Sequence, residues 1–124
     1  MAINITYDKT LHLLVCTIEG YIEVIDYEQA VHDILHSDEF PQDVPTLWDL
    51  RDMAFDNIDF AFQEKLVKVR EQIHAQRGQA KIALVSDNAL AEPLVKLYSI
   101  LAKDLNKNTK TFTGIEQAKS WLLF

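Results

Sequence analysis

The chain reads as an α/β domain on a five-stranded mixed sheet, a β-hairpin followed by parallel strands, in the order β-β-α-β-α-β-α-β-α. Three observations predict this. Two strand-like runs open the chain with only Asp8-Lys9-Thr10 between them. After them, short apolar runs alternate with segments whose apolar residues recur at helical spacing. No linker, repeat or low-complexity tract interrupts the sequence, so residues 1–124 are expected to form a single domain.

Each element has its own signal. Ile3, Ile5 and Tyr7 alternate with Asn4, Thr6 and Asp8, the pattern of a half-buried strand. Residues 11–18 are almost continuously apolar and form the second strand, ended by Glu19-Gly20, where glycine can take a positive φ. Asp26 is the expected N-cap of a first helix to about residue 37, with Tyr27, Val31 and Ile34 as its apolar stripe. Pro41 and Pro45 punctuate the next loop, and residues 46–50 are the third strand. Asp56, Asn57 and Asp59 offer caps for a second helix whose stripe is Phe62, Leu66, Val69 and Ile73, with Gly78 at its end.

Residues 81–86 are the fourth strand, apolar enough to be covered on both faces. A third helix starts between Asn88 and Pro93 and faces the core with Leu90, Leu94, Leu97, Leu101 and Leu105. Residues 109–113 alternate and suit an edge strand. Gly114 introduces a last helix with Ile115, Ala118 and Leu122 inward. Strand–helix alternation demands a mainly parallel sheet, and right-handed crossovers in sequential order put all the crossover helices on one face.

Composition narrows the functional classes. A chain of this size buries roughly two-thirds of its unfolded surface, so it can build a core without staples. Cys16 is the only cysteine, which excludes an intrachain disulfide. No apolar run reaches the roughly 20 residues that cross a bilayer, and no amino-terminal signal run is present, so a cytoplasmic location without integral membrane association is expected. The net charge of −7 argues against nucleic acid as the main partner, because a phosphate backbone requires a basic footprint. Residues 1–60 carry −11 and residues 61–124 carry +4. The two halves attract each other within one fold, or the acidic half receives a partner.

The opening hairpin leads to Glu19-Gly20-Tyr21; the middle of the chain holds Leu47-Trp48-Asp49-Leu50-Arg51-Asp52 and Ile82-Ala83-Leu84-Val85-Ser86-Asp87; Phe112-Thr113 precedes Ala118 and Trp121-Leu122. In order and spacing these pieces resemble the SpoIIAA-like branch of the STAS fold, the fold of anti-sigma-factor antagonists. They are also similar to small bacterial proteins of the STAS/SEC14 type. The resemblance covers essentially the whole chain and implies a small mixed sheet with a binding role. The antagonists are switched by phosphorylation of a Ser or Thr at the start of the helix after the third strand. The matching residues 49–62 contain neither, so the phosphoswitch and the sigma-factor role do not carry over.

Several constellations offer chemistry. Asp49, Arg51 and Asp52 end the third strand, and Ser86 and Asp87 end the fourth, so all five are candidates for a ligand or partner rim at the carboxyl ends of the parallel strands. Acids there, with Asp56 and Asp59, either cap helices or hold a hard cation such as Mg²⁺; capping is the commoner use and no metal is assigned. A receiver-like phosphoacceptor is rejected, since it needs an acid pair after the first strand and a Lys after the last. His32 and His36 are spaced to reach one metal but lack an evident third ligand. His74 reads as a helix-surface residue. Cys16 lies inside an apolar strand, where a thiol is inert, and none of Ser37, Ser86, Ser99 or Ser120 stands in a G-x-S-x-G setting. No glycine-rich phosphate loop exists. Lys65, Lys68, Arg70 and Arg77 make the second helix basic on its outer side, a solvated face or a dock for an acidic partner.

Leu14, Cys16, Ile18, Ala83 and Val85 are apolar residues of two central strands and are candidates for a sheet face covered from outside, by a second subunit or an apolar ligand. The last helix, the first helix or the 38–45 loop would otherwise supply the cover. The leading expectation is a non-catalytic module that binds a protein or itself, as a homodimer, and uses no cofactor. The alternative is a carrier or sensor of a small apolar or lipid-like ligand. An enzyme would need an acid–base or nucleophile set, and none is assembled.

Overall fold

The computed structural model describes residues 3–42, 44–77, 80–87, 93, 94, 96, 100 and 108–124, with side chains 73–77 excepted. Strands β1 (Ile3–Asp8) and β2 (Leu13–Gly20) pair antiparallel, with Ile5 opposite Cys16. The turn is tied by the Asp8 carboxylate, whose Oδ1 accepts from the amides of Thr10 and Leu11, both at 3.0 Å. His12, at φ 53°, turns the chain through the left-handed region, so β2 begins two residues later than expected. Gly20 ends it at φ 68°, the conformation that only glycine takes without strain.

Helix α1 (Val24–His36) starts before the expected cap. Asp26 lies inside its first turn and reaches back, accepting from the Glu23 amide at 2.7 Å. Tyr27, Val31 and Ile34 are buried as the spacing predicts. At the other end the Gln42 amide donates to the Ile34 carbonyl at 3.0 Å, satisfying a group the helix leaves open. Strand β3 (Thr46–Met53) runs three residues past the apolar segment. Helix α2 (Phe60–Arg77) is capped by Asp59, which accepts from the Phe62 amide at 2.8 Å. Strand β4 (Ile82–Val85), strand β5 (Thr109–Phe112) and helix α3 (Ile115–Leu123) complete the described elements. Of the helix expected between β4 and β5, Pro93 and Leu94 are helical; Leu90, Leu97, Leu101 and Leu105 lie outside the described residues, as does Gly78.

The five strands stand in sequential order, β1-β2-β3-β4-β5, and every pairing after the hairpin is parallel. The register sets Cys16 beside Trp48 and Trp48 beside Leu84 on one face; Val15, Leu47 and Ala83 align on the other. The first face packs against α1, α2 and Leu94. Its core includes Tyr27 and Trp48, whose tilted rings are 5.5 Å apart. Helix α3 covers the second face, where Ala118 and Leu122 meet Leu13, Leu47, Ala83 and Val85.

This arrangement corrects the expected apolar face. Leu14, Cys16 and Ile18 point to the α1–α2 side, while Ala83 and Val85 point to α3, because adjacent parallel strands keep their side-chain alternation in step. All five are buried by the chain's own elements. Among the described residues, α1, α2 and Leu94 of the third crossover share one face, and the last helix covers the other.

Candidate functional site

The carboxyl ends of β2, β3 and β4 form one rim, and the predicted charged residues meet there. Asp49 and Arg51 lie two apart on β3, so their side chains leave the same face. Arg51 Nε donates to Asp49 Oδ1 and Nη2 to Oδ2, each at 2.9 Å, a two-point pair. These hydrogen bonds hold the Asp49 carboxyl below its ordinary range, against the opposing effect of its partial burial. Asp49 is the strongest influence raising the Arg51 pKa, and the charges of Asp87 and Asp52 add to it. The rim carboxylate nearest Arg51 is thus ionised and paired, unlike a poised acid or base.

Ser86 extends β4 through its amide, which donates to the Phe112 carbonyl at 3.0 Å; its hydroxyl oxygen is buried with no partner. Two further rim loops are tied together. Asn57 Nδ2 donates to the Ile22 carbonyl at 2.9 Å, and the Tyr21 hydroxyl donates to Asp56 Oδ2 at 3.0 Å, which raises the Tyr21 pKa. Tyr21, Ile25 and Phe60 are exposed on these loops and the helix turns that follow them.

Away from the rim, His32 and His36 face water with their rings tilted to each other and centroids 4.6 Å apart. No group of three or more metal-binding side chains occurs among the described residues. Cys16 is buried. Among the described residues, no helix is long and apolar enough to cross a membrane.

The feature that the sequence reading missed lies beneath α2. A cavity of about 90 Å³ opens between the first sheet face and the helices, walled by Ile18, Ile22, Trp48, Leu50, Leu66, Leu84 and Leu94 among others. A water needs roughly 10–15 Å³ by this measure, and a cavity of about 150 Å³ holds benzene. The space therefore suits several waters or a small aliphatic group. Besides Tyr27, the polar side chains of Gln63 and Arg70 join the walls. They are 1% and 4% exposed, whereas Arg70 was expected on the basic outer side of the helix and Gln63 carried no expectation. Arg70 is a correction: its Nη2 donates to the Thr109 hydroxyl at 2.7 Å instead of pointing outward. Gln63 is different. Both its Oε1 and its Nε2 are buried with no hydrogen-bond partner.

The signal for these two was present but faint. Gln63 and Arg70 stand three before and four after Leu66, a member of the apolar stripe, so they share its face. Polar identity hid the pattern.

No protein-family model matches the chain, and no curated protein is similar to it. A solved structure does match: an uncharacterised protein of the DUF3478 family with a SpoIIAA-like fold, from Shewanella loihica PV-4. The two share 21% identity over 98% of this chain and 92% of that one, with a TM-score of 0.62. The chain therefore has a SpoIIAA-like fold, as the sequence resemblance implied.

Proposed function

We propose that this chain is a non-catalytic binding module whose ligand is small and largely apolar and occupies the cavity beneath α2. The observation that carries this reading is the cavity itself, about 90 Å³ of apolar-walled space against a central sheet. Protein interiors are otherwise packed with few voids larger than a water molecule. The remaining features agree with binding. The Asp49–Arg51 pair neutralises itself, and Cys16 is sealed in the sheet.

Xenon tests the reading directly, since it enters apolar cavities and makes no hydrogen bonds. Under xenon pressure, the methyl resonances of Ile18, Leu50, Leu66 and Leu84 should move while those of the α3 face, such as Leu122, stay still. Leu84→Phe should narrow the space and weaken the response. Unmoved cavity methyls in the wild-type chain would defeat the proposal.

A second reading, association with a protein partner or a second copy, is favoured by the exposed Tyr21, Ile25 and Phe60 at the rim. Sedimentation would show a doubled mass that Ile25→Glu and Phe60→Glu return to that of one chain. A single mass at every concentration excludes the homodimer.

A further inference from the structure

We infer that the cavity reads its ligand through Gln63, and that the ligand carries a neutral group with a hydrogen-bond donor and acceptor side by side: a carboxamide or a protonated carboxylic acid on a short branched aliphatic body. The inference rests on the cavity being a ligand site and adds the chemistry of the head group.

Gln63 is 1% exposed, lines the cavity and has neither its amide nitrogen nor its carbonyl oxygen engaged. A primary amide offers two donors on nitrogen and an acceptor on oxygen. Another carboxamide, or a carboxylic acid in its neutral form, presents a complementary donor and acceptor at matching separation, so both bonds close in one ring. A carboxylate has acceptors only and would set an oxygen lone pair against the Gln63 carbonyl. A ketone would satisfy the nitrogen alone. A hydroxyl carries both roles on one atom and cannot face both ends of the amide in line.

Arg70 does not displace this reading. It stands seven residues on, about 10 Å along the helix axis, where it is engaged by Thr109 at the start of β5. Gln63 and Arg70 therefore mark separate ends of the apolar space, and Gln63 is the one nearer the rim. The rest of the wall, including Leu50, Leu66 and Leu84, selects an aliphatic body.

The test uses the full chain and three probes of one shape: isobutyramide, isobutyric acid and 3-methylbutan-2-one. Binding is followed by two-dimensional NMR of the cavity methyls and of the Gln63 side-chain amide. Isobutyramide should bind about tenfold or more tightly than the ketone and shift the Gln63 amide protons, consistent with an extra buried hydrogen bond. Isobutyric acid should bind less well as pH rises through its own pKa. Gln63→Leu should bring amide and ketone to equal affinity. If that variant does not fold, the wild-type amide-to-ketone ratio decides alone. Equal affinities in the wild-type chain overturn the inference and leave the cavity reading in place. Affinity for isobutyric acid that grows with pH overturns it in favour of recognition by Arg70. If none of the probes moves the cavity methyls while xenon does, Gln63 reads no ligand and the inference falls; if xenon also fails, both proposals fall together.

Discussion

Gln63 and Asp49 are polar side chains on neighbouring elements, and their surroundings treat them oppositely. Gln63 buries an amide that no other protein group meets, and a buried polar group left unmet costs about 1–3 kcal/mol. Gln63→Leu should therefore stabilise the ligand-free chain by roughly 1–3 kcal/mol, read as a higher urea midpoint at unchanged slope. Asp49 is held by Arg51, and its carboxyl releases its proton more readily in the fold than in the unfolded chain, where 3.8 is the ordinary value. Between those two pKa values the unfolded state binds more protons, so this contribution is present above about pH 4 and is lost as the pH falls through the lowered value. Asp49→Asn should flatten that acid limb of the stability profile, as followed by urea titrations from pH 5 downward. The rim position of Asp49 and Arg51 was legible in the sequence, but their pairing was not, because the strand was expected to end at Leu50 and it runs on to Met53. Nor were Gln63 and Arg70 legible. Polar residues on a helix count as solvent-facing unless a neighbour closes over them, and that closure is set by the sheet and by Leu94, far away in sequence.

Strand β4 shows what register decides. Ala83 and Val85 were grouped with Leu14, Cys16 and Ile18 as one face, yet pairing through β3 puts them on opposite sides. Alternation within a strand is readable from sequence. Which face of one strand matches which face of another depends on the pairing register, where a one-residue slip inverts the answer. Ala83 touches α3 with no exposure at all. Ala83→Lys should therefore weaken the fold itself, by about 3 kcal/mol or more, because an unpaired ammonium would sit among Leu13, Leu47 and Ala118. A thermal melt by circular dichroism measures this; an unshifted midpoint would mean that α3 does not seal the sheet. Other elements followed from local rules. The hairpin came from a short polar turn, and the α1 stripe from its spacing. Its start moved by a few residues because an acid serves a helix N-terminus from the third position as well as from the cap.

At the scale of the whole molecule, sequential strand order and right-handed crossovers leave one face of the sheet to the connecting helices and the other to the chain's last helix. The fold class was legible because it needs only the alternation of element types. The cavity was not, since its volume is a small difference between how far apart the layers stand and how well the side chains fill the gap. That difference has a mechanical consequence. Unfolding admits water to space the folded chain leaves unfilled, so the unfolded state occupies less volume. The volume lost on unfolding scales with such internal space, and small proteins lose ~20–100 mL/mol. Hydrostatic pressure should act on this protein through the same few side chains that wall the cavity. Trp48, on that wall, offers a fluorescence signal for the transition. Leu84→Phe should shrink the volume change and raise the pressure midpoint, and a bound guest should do the same, so that compressibility becomes a gauge of occupancy.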